Sequence, residues 1–358
     1  MTEREAYVAF NLTERVGFST VSELVARAGD VVTAWEDYPR KVSRTGGAVD
    51  VDGEFRLAEK FGVAVLTPAD ADYPASLRNA PGCPLALYVK GDVSALSRPS
   101  VALVGTRRAT SYGLSVANRL AYDLAKSGLA VVSGLALGID AEAHRGALAA
   151  DGVTVGVIGS GLDRFYPEEN RALAREMVEN GGAVVSEFPF GRPPDKTTFP
   201  IRNHVVAALA KGIVAVEAPF KSGTLITTSI AADLGRTVMA VPARVDSRMS
   251  AGCLQLIREG AVLVRSADDV IEALGELFPP TRKKSESVGA PDPERPPYSV
   301  EEALVMTHVD ADGISLDELA RETKLPVAKV NALAMELRIK GFVKFLPGNR
   351  ISLLTRRH

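Results

Sequence analysis

Arg107 and Arg108 follow the apolar run VALVG (101–105), and Lys221, Ser222, Gly223 and Thr224 follow a second run, IVAVEA (213–218). Cations next to glycine at the end of an apolar run suit the holding of an anion. A guanidinium can grip a phosphate through two parallel hydrogen bonds. Ser222-Gly223-Thr224 opens a segment of helical spacing, where unpaired N–H groups and the helix dipole favour negative charge. The bland reading is that the glycines make tight turns and the arginines are merely solvated. Several such turns converging with cations at one edge favour anion binding.

Residues for catalysis are sparse. His144 stands four positions after Asp140, on one helical face, which fits a hydrogen-bonded pair that stiffens a loop better than a metal or acid–base couple. Glu187 has no nucleophile beside it in sequence. No Ser-His-Asp order or metal-ligand cluster is visible, so no catalytic residue, metal or cofactor is expected. The dinucleotide fingerprint needs G-x-G-x-x-G after the first strand and an acidic residue after the second. Here the first turn is Gly105-Thr106-Arg107-Arg108 and the second ends Ser133-Gly134. A G-x-x-x-x-G-K-[ST] loop is also missing.

The chain has 358 residues, 46% of them apolar and 24% charged, with a net charge of −2. That length allows two or three domains, and the neutral balance argues against coating duplex DNA by bulk charge, though a local basic pocket remains compatible. No apolar stretch reaches the roughly 18 residues that span a bilayer. The acidic start and the two distant cysteines, Cys83 and Cys253, fit a cytoplasmic protein.

These residues need a scaffold, and the pattern supplies one. Apolar runs at 101–105, 129–133, 153–159, 183–188, 213–218 and 237–242 alternate with helical segments, as in a parallel sheet covered on both faces. The expected fold is α/β, an extended Rossmann-like doubly wound, mostly parallel sheet over 61–278. Residues 1–60 read as a small SAM-like or helix-hairpin-helix-like helical domain. A proline-rich, charged linker follows at 279–298. Residues 299–358 read as a winged helix, with its hairpin turning at Pro347-Gly348-Asn349. Lys329, Arg338, Lys340, Lys344, Arg350, Arg356 and Arg357 leave duplex DNA and a protein equally open as partners of this module.

The ordered segments VGTRRATSYG, SGLALGIDAEAH, GVIGSGLDRFYPEEN, SEFPFG, FPIRNHVVAALA, EAPFKSGTLITTSIAADLGR and GCLQLIREGA resemble the DprA/Smf family of DNA-processing proteins over most of 70–275. The resemblance implies a protein that binds single-stranded DNA, forms a homodimer and loads the RecA recombinase during natural transformation or repair. The DNA-binding residues it implies are Gly105, Thr106, Arg107, Arg108, Lys196, Arg202, Asn203, His204, Lys221, Ser222, Gly223 and Thr224. His204 stands where a second arginine is usual. Residues 241–257 depart from the family's PG turn and GTN, with Arg244 and Arg248 as replacement charge. Two rivals remain: a nucleotide-processing enzyme like the lysine-decarboxylase-like phosphoribohydrolases, which lacks its loop glutamate here, and a regulator acting through the winged helix alone.

Overall fold

The computed structural model describes residues 1–39, 41–44, 46–275, 299–310, 313–346 and 348–353. The expected linker, Pro347 of the hairpin turn, Arg356 and Arg357 lie outside the described residues. Two compact units divide the chain, Met1–Thr281 and Arg282–His358.

The first unit begins with four helices, α1 (Glu3–Leu12), α2 (Phe18–Ala28), α3 (Val31–Glu36) and α4 (Val51–Phe61). Thr2 and Glu5 form a reciprocal capping box that starts α1, and the Asp30 carboxylate starts α3 by accepting from Thr33 N–H at 2.8 Å. Phe10 packs edge-on against Trp35, with ring centroids 5.1 Å apart. These helices share a core with the sheet domain: Val8, Leu12 and Ala58 are buried with Val65, Tyr88 and Phe190. Across that seam Glu54 accepts from Phe190 N–H at 2.9 Å.

The sheet domain runs β1 (Ala64–Leu66), α5 (Ala75–Arg78), β2 (Leu87–Gly91), β3 (Ser100–Gly105), α6 (Ser111–Lys126), β4 (Ala130–Ser133), α7 (Ile139–Ala149), β5 (Thr154–Val157), α8 (Arg171–Glu179), β6 (Ala183–Ser186), α9 (Thr198–Leu209), β7 (Gly212–Glu217), α10 (Gly223–Asp233), β8 (Thr237–Ala240), α11 (Ala251–Arg258), β9 (Val262–Leu263) and α12 (Ala267–Leu274). The strand order is β1-β2-β6-β5-β4-β3-β7-β8-β9. Strands β3 to β9 are mutually parallel, and β2 runs against both β1 and β6. The sheet is doubly wound and Rossmann-like, with an extension at the β1–β2 edge. Side chains of β3 alternate between its two faces: Ala102 and Val104 join α9 in one core, Val101 and Leu103 join α6 and α7 in the other. That is why the strand reads as a continuous apolar run.

His144 of α7 is fully buried, and it does not pair with Asp140 as its spacing suggests. Its Nδ1 lies 2.7 Å from the Thr154 hydroxyl. That hydroxyl already donates to Val131 O at 2.8 Å, so Nδ1–H is the donor and Nε2 is left buried without a partner. Burial, aided by Arg145 and Arg202, pulls the imidazole pKa down to about 3. The folded state therefore resists protonation that the unfolded chain accepts below about pH 6.5. Stability from this residue is present above that pH and is lost as pH falls toward 3, about 2 kcal/mol by pH 5. Glu187 works in the opposite sense: burial raises it to about 7, with Arg44 opposing, so its contribution is lost as pH rises from the ordinary carboxyl range through 7. Comparing variants separates the two. The margin of the native chain over His144→Gln in urea unfolding should shrink by about 2 kcal/mol from pH 7 to pH 5; an unchanged margin would show that the imidazole is not held neutral.

The second unit comprises α13 (Val300–Met306), β10 (Ile314–Ser315), α14 (Leu316–Thr323), α15 (Val327–Ile339), β11 (Val343–Leu346) and β12 (Arg350–Leu353), with strand order β10-β12-β11. Three helices and a small antiparallel sheet around Val305, Leu319, Leu333 and Ile351 make a winged helix. Several of its cations already have partners within the module. Lys329 pairs with Glu301, Lys340 with the buried Glu302 at 2.7 Å, and Arg338 lies 5.4 Å over the Phe345 ring. Met335 and Ile339 of α15 are 53% and 85% exposed, two large apolar side chains among the exposed Lys329, Glu336 and Arg338 of that helix.

Candidate nucleic-acid interface

Strand order reverses between β3 and its neighbour β7. In an open α/β sheet the crevice at that reversal, outside the carboxyl ends of the strands, is where ligands bind. The loops leaving β3 and β7 carry Arg107 and Lys221. Glu217, the last residue of β7, is buried and ties these loops together. Its backbone O accepts from Thr106 N–H at 2.7 Å, and its carboxylate accepts from both the N–H and the hydroxyl of Thr110, each at 2.8 Å.

That carboxylate decides what the first turn can bind. Thr110 caps α6 by accepting from Gly113 N–H at 3.1 Å, and Glu217 sits directly behind it. A Cβ on Gly113 would lie 2.4 Å from Glu217 Oε2. The α6 N-terminus, where a Rossmann enzyme holds pyrophosphate, thus already faces an anion of the protein's own. The α10 N-terminus differs. Ser222 is its N-cap residue but makes no side-chain cap bond, and no acid stands in its first turn. The Ser222 hydroxyl is buried without a hydrogen-bond partner. Beside it Lys221 is exposed, with φ at +60°, Gly223 is open, and Thr224 is buried.

Arg107 is exposed at the crevice rim, with its guanidinium 5.0 Å from the centroid of the Phe199 ring. Tyr166, 46% exposed, lies 6.1 Å beyond Phe199 at a tilt of 51°. Arg107, Leu137, Tyr166, Phe199 and Arg202 line one cleft. A cation and two aromatic rings along an open cleft match what unpaired bases and their phosphates need. Phe199 falls within the segment FPIRNHVVAALA and Tyr166 within GVIGSGLDRFYPEEN, but neither ring is among the expected contacts, because a sequence gives no sign that two aromatics some thirty positions apart share a surface.

The other expected contacts divide. Arg108 is exposed on the same loop as Arg107, and Lys196 is exposed on the segment leading into α9. Gly105 ends β3. Arg202 points inward: its Nη1 donates to the carbonyls of Gly134 and Val157, just past β4 and at the end of β5. Burial pulls this guanidinium down to about 10, with Asp140 opposing and Arg107 adding to the fall. Asp140 is also buried and raised by burial, with Arg202 opposing. A Cβ on Gly134 would lie 2.7 Å from both the Arg202 guanidinium and Asp140 Oδ2, so only glycine fits between them. Asn203 accepts from Arg202 Nε at 3.2 Å. His204, two residues along the helix and so on its far side, is half-buried against Pro81 and Gly82, and burial lowers its pKa while Pro81 raises it. The structure does not bring it to the cleft. Arg244 pairs with Asp246 at 3.0 Å, and Arg248 is exposed.

Residues 64–275 match the family model for DNA recombination-mediator protein A, and residues 289–349 match that of the DprA winged helix domain. The chain belongs to the DprA/Smf family. It is 35% identical over 314 residues to the Synechocystis protein Smf, covering 80% of this chain and 79% of that protein. It is similar in structure to DNA processing protein A of Streptococcus pneumoniae, with a TM-score of 0.62 and 32% identity over 76% of this chain and 98% of that one. The Helicobacter pylori DNA processing protein A, whose structure describes its single-stranded DNA binding mode, aligns at a TM-score of 0.53 and 30% identity, over 59% of this chain and 95% of that one. In DprA family terms the match covers the sheet domain and the winged helix, and the cleft lies within the first. Among the described residues, no helix is long and apolar enough to cross a membrane.

Proposed function

We propose that this DNA-processing protein binds single-stranded DNA in the crevice between the β3 and β7 loops, without catalysing a reaction on it. The observation that carries the reading is the Arg107–Phe199–Tyr166 row, in a cleft at the carboxyl end of the sheet, the same end at which the uncapped α10 terminus opens. Stacking accepts every base because every base has a π-face, and phosphate contacts carry no base information. Binding is therefore tolerant of sequence and independent of ATP. Duplex DNA, whose bases are already stacked, gains nothing from the rings. Arg107, Arg108, Lys196, Lys221, Ser222, Gly223 and Thr224 form the contact surface, with Gly105 and Thr106 shaping it. Arg202 and Asn203 hold it from beneath. Family membership supports delivery of the strand to RecA in the cytoplasm, in transformation or repair.

The test is anisotropy with labelled single-stranded, duplex and free-nucleotide probes, on the full chain and on a chain ending at Phe278. The truncated chain is expected to keep single-strand affinity within about threefold, roughly 0.7 kcal/mol, because the crevice lies wholly in the first unit. Loss of binding on truncation would place the principal site in the winged helix. Exposed Met335 and Ile339 on α15, beside cations paired within the module, favour a protein partner over duplex DNA for the winged helix.

A homodimer through the β9 edge is part of the same proposal. Val262 and Leu263 end the sheet and are 41% and 44% exposed, an unpaired apolar edge that a symmetric partner would cover. Leu263→Lys is expected to convert a dimer to a monomer in light scattering at tens of micromolar, on the order of a weak dimer's Kd. A native chain that is monomeric under those conditions would refute the dimer.

A further inference from the structure

A cavity of about 300 Å³ opens at the opposite end of the sheet, lined by Ser76, Asn79, Pro81, Lys211, Leu234 and Arg236 among others. Lys211 immediately precedes β7 and Arg236 immediately precedes β8. The cavity and the crevice are thus separated by the six residues of β7, about 20 Å of strand. Its volume lies at the lower end of small-molecule sites, roughly 300–1,000 Å³.

Its walls hold two cations and no carboxylate. Arg236 Nη2 donates to Ala208 O at 3.0 Å, which closes a carbonyl in the last turn of α9 and accounts for that nitrogen. It does not account for Arg236 Nε, which is buried without a hydrogen-bond partner. Nor does it account for Lys211, an exposed cation that makes no ion pair among the described residues. Two like charges facing one concavity repel. An anion with several acceptor oxygens relieves that repulsion. The hydroxyl of Ser76 and the amide of Asn79 supply neutral donors beside the charges.

We infer that this cavity is a second, separate phosphate-binding site, with Lys211 and Arg236 as its cationic ligands. The phosphate belongs to a small phosphorylated molecule or to the 5′ end of a DNA strand. Either presents the same dianionic head, and neither source requires the crevice.

Titration calorimetry of the full chain with inorganic phosphate, against chloride at equal ionic strength, tests the site. In the Arg107→Ala background, which removes the crevice's own guanidinium contact to phosphate, saturable binding is expected, and adding Lys211→Glu or Arg236→Gln weakens it tenfold or more. Arg236→Gln also removes the bond to Ala208, so Lys211→Glu, at an exposed position, keeps the test valid if the first variant unfolds. Phosphate binding in the Arg107→Ala background that Lys211→Glu leaves unchanged, or no saturable heat at all, overturns the site. Oligonucleotides with a 5′-phosphate or a 5′-hydroxyl, compared in Arg107→Ala and in Arg107→Ala/Lys211→Glu, separate the sources. A preference for the 5′-phosphate that disappears with Lys211→Glu identifies a DNA end, and the absence of any preference beside intact phosphate binding identifies a small molecule.

Discussion

Arg107→Ala is expected to weaken single-stranded DNA binding by roughly 1.5–3 kcal/mol, about 10- to 150-fold, while leaving the unfolding midpoint in place. The size follows from two interactions lost together. A charge-assisted bond to phosphate is one. The other is the guanidinium face over Phe199, whose ring then loses the cation that orients a stacked base. Stability is spared because Arg107 is exposed, and its described contact is with a ring at the rim. Salt dependence gives a second readout. Each neutralised phosphate contributes about 0.7 to the slope of log affinity against log salt on a single strand, so the variant's slope should be shallower by about that amount. Phe199→Ala should lose a comparable share of affinity with no change in slope, since it removes stacking and no charge. Anisotropy at low and moderate salt measures both. Native affinity in Arg107→Ala would remove the crevice from consideration.

Arg202→Ala should behave in the reverse way, unfolding the protein more easily by about 3–5 kcal/mol. Its guanidinium bonds the carbonyls of Gly134 and Val157, at the ends of neighbouring strands, and stands beside the buried Asp140. Truncation strands two carbonyls and an uncompensated carboxyl in a dry interior. Adding Asp140→Asn should restore part of the loss, because the double variant no longer buries an acid without its cation, and this non-additivity identifies the coupling. Denaturant midpoints of the single and double variants measure it. An Arg202→Ala protein with native stability and lost DNA binding would mean that the side chain contacts DNA directly, as the motif match implied. Weaker binding is expected in the stable double variant as well, since the floor beneath Phe199 and Arg107 has been loosened.

The contrast between these two arginines marks what a sequence can and cannot determine. The β3 to β8 strands were legible because strands buried on both faces read as unbroken apolar runs, and each ends at a glycine or proline turn. The winged helix was legible from helical periodicity followed by a hairpin. The helix start at 222–224 was legible because a glycine turn after an apolar run is a local signal. Short α5, between Pro74 and Pro81, leaves no mark in the sequence, since one turn of helix carries too little periodicity to register. Arg107 and Arg202 are the same residue type, each beside a recognisable motif, and nothing local separates them. Burial separates them: α9 turns residue 202 toward the strand ends and residue 204 away toward Pro81, a rotation of about 200° for two residues. His144 and Asp140 share a helical face in sequence, yet Thr154 from a neighbouring strand captures the histidine while Arg202 from another helix stands beside the aspartate. Those partners are ten and sixty-two residues away, and only the packed sheet brings them together. The cavity at Lys211 and Arg236 has no sequence signature at all. It exists because two strands begin side by side, and the sheet order that makes them neighbours is a tertiary fact.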